Sequence, residues 1–189
     1  MPLKDLILKN RSYRRFQQEV PLSMDLLQEM VEAARLSGSA RNMQPLRYML
    51  FNESVDCARI FPTLAWAGYL KEWPGPSEGE RPSGYIVQLG DLDLTDDWWC
   101  DDGIAAQSML LTAVENGFGG CIIGSVQREK LRSILSIPER YKIIQVLALG
   151  KPSEKVILDE VQDGDINYWR DEQGIHHVPK RALQELIIG

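Results

Sequence analysis

The segment at residues 101–116 constrains this chain most. On a helix it places Ile104, Leu111 and Val114 on one face and Ala105, Met109 and Ala113 on another, so apolar side chains occupy much of its circumference. Such a helix needs cover from more than one side, which predicts a central, buried position. Residues 142–149, Lys-Ile-Ile-Gln-Val-Leu-Ala-Leu, make the same demand in extended form and predict a strand whose sheet is covered on both faces. The chain has 189 residues, 44% of them hydrophobic. A single core of that size buries roughly 70% of the surface an unfolded chain exposes, so one domain over 1–189 is expected, with no need of disulfides or a structural metal.

The remaining pattern interleaves helices and strands. Helices are expected at 3–9, at 23–36 behind a Ser23 cap, at 55 to about 70, and at 127–135. Strands are expected at 46–51, 85–89 and 121–123, with the run Gly117-Phe-Gly-Gly120 ending the central helix. The segment 181–188 suits either a helix or an extended arm. Strict strand–helix alternation is missing, which points to an α+β chain and away from a doubly wound one. The turn-rich stretch from Trp73 to Gly84 reads as a mobile surface loop.

Several functional classes are excluded or disfavoured. A net charge of −6 repels polyanions over the average surface, so nucleic acid is not an expected partner. No apolar run approaches the roughly 18 residues of a membrane span. Cys57, Cys100 and Cys121 are odd in number and form no CxxC pair, so they read as reduced thiols of a cytoplasmic protein. No phosphate-binding GxxxxGK[ST] and no GxSxG is present. The run from Gly117 to Gly124 fails as a dinucleotide fingerprint because Ile122 stands where its third glycine is required. His176 and His177 are adjacent and point apart in an extended segment, so no metal site is expected. Asp101 and Asp102 read as charges capping the central helix.

Two constellations carry chemistry. Asn10-Arg-Ser-Tyr-Arg-Arg-Phe16 gathers three guanidinium groups and a hydroxyl within five residues, which suits a phosphate cradle, although a lone basic cluster is more often a solvated face. Ser37-Gly-Ser-Ala-Arg-Asn-Met-Gln-Pro45 sets small and amide residues between a helix and a strand. It suits the edge of a flat ligand, or simply a turn. Five tryptophans offer walls for a planar ligand or for a subunit interface.

Taken in order, these pieces resemble the nitroreductase-like family of FMN-dependent oxidoreductases. Arg11-Ser12-x-Arg14 is similar to the family's N-terminal signature, and Ser39-Ala-Arg-Asn-Met-Gln-Pro45 to its Ser-Ala-Gly-Asn-x-Gln-Pro loop. Asp102-Gly-Ile-Ala-Ala-Gln107 with residues 117–124 is similar to its central helix and following strand. Leu149-Gly-Lys-Pro152 and Pro179-Lys-Arg181 are similar to its later elements. The resemblance implies a three-layer sandwich, a mixed central sheet with helices on both faces, in an intertwined homodimer with FMN at the interface. It implies that Arg11, Ser12, Lys180 and Arg181 hold the phosphate and that Arg14 lies near the flavin pyrimidine edge. Ser39 and Asn42 would approach from the partner subunit, and the backbone of Ile123 and Gly124 would face N5. No side chain is then needed as acid or base.

Three positions depart from the pattern: Asn10 precedes Arg11 where a second arginine is common, Arg41 replaces a glycine, and Ile123-Gly124 replaces a Glu-Gly pair. The resemblance implies hydride transfer from NADH or NADPH to a small acceptor such as a nitroaromatic or quinone. Alternatives are a flavin-binding dimeric module whose substrate face Arg41 blocks, and an FMN enzyme that fragments flavin or dehydrogenates another substrate. The loop at 73–84 is expected to form part of a lid.

Overall fold

The strands at the centre owe their place to the apolar runs that sequence analysis singles out. The computed structural model describes residues 1–188. β1 (Leu46–Phe51), β2 (Gly84–Asp91), β3 (Gly119–Ile123) and β4 (Tyr141–Gly150) form one sheet in the order β1-β2-β4-β3. Ile86 stands opposite Leu147 and Val87 opposite Val146, so alternate residues of the two inner strands face opposite layers. Ile86, Leu147 and Leu149 pack with α2 (Met24–Arg35) and α4 (Asp101–Glu115). Tyr85, Val87, Val146 and Ala148 pack with α3 (Ser54–Ile60) and α5 (Arg128–Leu135). Helices on both faces make this the three-layer α+β arrangement expected.

Pairing in the four-stranded sheet is antiparallel throughout. The mixed character lies at its margin, where Ser12 bridges Gly120 in parallel sense, and in a second sheet. That sheet, in the order β5-β7-β6, comprises β5 (Val156–Glu160), β6 (Trp169–Arg170) and β7 (His176–Lys180), with β5 parallel to β7. It is not foreseen from sequence, because its strands are short and half-polar.

Several boundaries follow from local chemistry. Ser23 caps α2 by accepting a hydrogen bond from the Leu26 amide. Gly117, at φ 79°, ends α4 in the left-handed region. The helix expected to reach residue 70 stops at Ile60 and tightens into a 3₁₀ turn, Phe61–Thr63. Pro62 cannot donate to the helical ladder, and the Thr63 hydroxyl takes the Ile60 carbonyl at 2.7 Å. α4 buries Ala105, Met109 and Ala113 but leaves Ile104 exposed, so it is covered on fewer sides than its composition suggests. α1 (Leu3–Lys9) buries no residue, and α6 (Leu183–Leu186) is a single exposed turn within the ambiguous 181–188 segment. The loop at 73–84, expected to be mobile, is tied to the N-terminal segment: Glu80 pairs with Arg15, its carbonyl accepts from the Phe16 amide, and the Gly79 amide donates to Gln18. No helix among the described residues is long and apolar enough to cross a membrane.

Two glycines test this packing with opposite signs. A Cβ at Gly120 would strike the Ala148 carbonyl and Leu149, whereas one at Gly103, in the first turn of α4, would meet nothing within 4 Å. Gly120→Ala is expected to lower stability by about 1–3 kcal/mol. Gly103→Ala is expected to raise it by about 0.5–1 kcal/mol through helix propensity. Urea denaturation of both variants checks the pair.

Candidate functional site

The segment after α1 is laid along the edge of β3. The Tyr13 amide donates to the Gly120 carbonyl at 3.1 Å and Ser12 bridges Gly120, which fixes where Arg11, Ser12 and Arg14 stand. Phe16, fully buried, anchors the far end of the segment. Glu154 holds it from behind. Its carboxylate accepts from the Arg14 and Arg15 amides and, at 2.8 Å, from Nη2 of Arg170 on β6. The Glu154 side chain is only 1% exposed.

This arrangement brings the two ends of the chain together. Strand alternation on β7 turns His176, Val178 and Lys180 toward the arginine segment, and with Arg11, Ser12 and Arg14 they line a cavity of about 270 Å³. A second cavity of about 180 Å³ is lined by Trp66, Ala67, Gly68, Ile123 and Gly124, and again by Arg14. Arg14 therefore stands where the cationic cradle meets the end of β3.

The cradle is short of anionic partners. Among the described residues, Arg11, Arg14 and Lys180 form no ion pair with a carboxylate, in a chain whose net charge is −6. Arg11 donates from Nη2 to the Ile7 carbonyl at 2.7 Å, while its Nε is buried with no partner. Burial lowers the Arg11 pKa. Arg14 donates to the Ser12 carbonyl and lies 3.2 Å from His176 Nε2. Burial, reinforced by Arg14 and Arg170, pushes the His176 pKa down to about 4, so its neutral ring accepts from Arg14. Cys121 also lines the second cavity, but burial pushes its pKa up to about 12, which leaves it a poor nucleophile.

The other expected residues divide. Ile123 and Gly124 line the Arg14 cavity. Arg181 does not: it follows β7 and, exposed, turns to Glu185 at 3.3 Å. Ser39 lies in a separate cleft of about 380 Å³ between α2, α4 and β1. There its hydroxyl donates to Asp101 at 2.6 Å, and Asp101 also accepts from the Ala40 amide. Asp101, with Asp102 in the first turn of α4 as expected of charges at that end, thus also clamps this loop. Asn42, at φ 55°, accepts from the Gln44 amide group. Within one chain, neither Ser39 nor Asn42 joins the cradle. Arg41 packs over Trp99 and lines none of these three cavities. Tyr168, His176 and Glu154 are missed by sequence reasoning. Of the three only His176 lies in a strand, at 176–180, whose alternation signals it; Glu154 and Tyr168 lie outside the strands.

Comparison with known proteins shows the family. The model of the Nitroreductase family matches residues 7–78 and 90–151. The chain belongs to the nitroreductase family. The Bacillus subtilis protein YodC, provisionally named an NAD(P)H nitroreductase, is 22% identical over 78% of this chain and 88% of its own. An FMN-dependent nitroreductase from Clostridium difficile superposes with a TM-score of 0.67 at 20% identity, covering 81% of this chain and 89% of that one. The NADPH:FMN oxidoreductase from Vibrio harveyi, solved with NAD⁺, gives 0.63 at 24% identity, over 80% and 69%. The match to the nitroreductase family ends at residue 151, so the second sheet, with Tyr168, His176 and Lys180, lies beyond it.

Within that sheet of this nitroreductase-family chain, His177 sits between Asp159 at 2.8 Å and Asp171 at 3.3 Å, stacked on Trp169 with centroids 4.2 Å apart. Burial opposes its charged form, but hydrogen bonds and attraction from both carboxylates outweigh it and raise its pKa. Its contribution to stability is complete below the ordinary histidine pKa of about 6.5 and is lost as pH rises through the raised value. His176, with its depressed pKa, costs stability as pH falls from about 6.5 toward about 4. Amide exchange of residues 169–180 is therefore expected to be slowest near pH 6.5, after correction for the intrinsic rate. His177→Gln should flatten the alkaline limb and leave the acidic one. An unchanged alkaline limb contradicts the assignment.

Proposed function

We propose that this chain is an FMN-dependent oxidoreductase that takes hydride from NADH or NADPH and passes two electrons to a small acceptor such as a nitroaromatic or quinone. The observation that carries the reading is the set of cations without carboxylate partners, Arg11, Arg14 and Lys180, grouped beside the Ile123-Gly124 wall. Membership of the nitroreductase family supports it, as do relatives whose names specify FMN and NAD(P)H.

The residues present fit the cofactor. Arg11, with its unpartnered buried Nε, the Ser12 hydroxyl and Lys180 would hold the phosphate by charge-assisted hydrogen bonds. Arg14 would stand near the pyrimidine edge, where a fixed cation favours negative charge on the reduced ring. When bound, FMN supplies the ring that accepts hydride and returns the electrons. The backbone of Ile123 and Gly124 would line that ring, and Trp66 would exclude water from it. No acid or base among the side chains is required.

The enzyme acts as a homodimer in this reading. Leu3 and Leu8 on α1, Ile104 on α4, and Leu183, Leu186 and Ile187 at the C-terminal end are all exposed, apolar side chains that a second copy would cover. Ser39 and Asn42 would reach the flavin from that copy. Light scattering should give twice the 21.5 kDa chain mass, and a monomeric mass contradicts the dimer.

FMN titration tests the site. Arg11→Ala and Lys180→Ala should each weaken affinity by about 1.5–3 kcal/mol, the value of a charge-assisted hydrogen bond. Arg181→Ala should change it less, because that side chain is already paired with Glu185. Affinity unchanged in the first two removes the phosphate assignment.

A further inference from the structure

The cradle and the wall at the end of β3 are two cavities, and one aromatic side chain stands at their junction. Tyr168 lines the cationic cavity, and its ring covers the Arg14 guanidinium at 4.8 Å, the group shared by both cavities. From there its hydroxyl accepts from the Tyr69 amide at 3.3 Å, next to Ala67 and Gly68, which wall the second cavity. The Tyr69 ring packs on it with centroids 4.9 Å apart, and His176 packs at 5.2 Å. Tyr168 is thus held by a cation–π contact, two aromatic contacts and a hydrogen bond.

We propose that Tyr168 is a gate and specificity-determining residue: it closes the junction between the cradle and the Ile123-Gly124 wall, and swings off Arg14 when a ligand spans both. The inference rests on the flavin reading, since a phosphate-bearing flavin is the ligand that would need both cavities at once. A small anion occupies the cradle alone and leaves Tyr168 in place. The gate comes from the segment just before β6, beyond the residues that the family model matches. His176 supports the ring as a neutral partner, because its pKa near 4 keeps it uncharged around pH 7.

Stopped-flow mixing with FMN, followed by quenching of flavin fluorescence, reads the gate directly. Tyr168→Ala should associate about tenfold faster, the factor given by roughly 1.4 kcal/mol of lost stacking and hydrogen bonding. Tyr168→Trp, which keeps a large ring at the junction, should associate no faster than the unmodified chain and provides the check if the alanine variant folds poorly. Inorganic phosphate should compete with FMN equally well in the unmodified chain and in both variants, since it does not cross the junction. Association of the alanine variant within twofold of the unmodified rate, or a tryptophan variant faster than the unmodified chain, overturns the gate while leaving the flavin site standing. FMN binding by none of the three overturns the flavin reading itself, and the gate with it.

Discussion

One buried carboxylate holds the site together. Glu154 accepts two backbone amides from the arginine segment and a guanidinium from β6, so it joins the beginning of the chain to its C-terminal sheet at a point nearly closed to water. A carboxylate in such a place is tolerated because its lone pairs are filled, and removing one partner of a buried pair of this kind costs about 3–5 kcal/mol. The position of Arg14 follows from that grip, and the two cavities share Arg14. Its backbone is held by Glu154 and its side chain by the Ser12 carbonyl, His176 and Tyr168, so the cation is fixed before any ligand arrives.

The electrostatics around it have a consistent sense. The chain as a whole is acidic, yet its acidic groups pair elsewhere: Asp91 with Arg140 and Arg47, Glu80 with Arg15, Asp159 and Asp171 with His177. The three cations at the cradle are left to a ligand. Cys121, which lines the neighbouring cavity, is held protonated by burial, and His176 is held neutral. The site binds and orients, and does little proton chemistry of its own, which suits an enzyme whose electron chemistry belongs to a cofactor.

The sequence made the layered core legible because its signals are strong and local. The apolar run at 142–149, the Ser23 cap and the Gly117 stop each act through residues adjacent in the chain, and each appears where it was expected. The grouping of Arg11, Ser12 and Arg14 was visible in residue chemistry alone, whereas Ile123, Gly124 and Lys180 were singled out only by a family resemblance; the structure brings Lys180 to the arginines through strand alternation on β7. What escaped was partly local and partly long-range. Pro62 and the Thr63 hydroxyl stop a helix that periodicity would continue, and Asp101, from the first turn of α4, clamps Ser39 across 62 residues of sequence. Tyr168 and Glu154 gain their roles from a short, half-polar sheet that no periodicity announces.

The most direct measurement is the visible spectrum of the FMN-loaded protein under anaerobic conditions, before and after adding NADH or NADPH. Bleaching of the flavin band by either nicotinamide is the result the proposed function predicts, with the cradle holding the phosphate and Arg14 favouring the reduced ring. Flavin that binds and stays oxidised with both nicotinamides contradicts the proposed reductase.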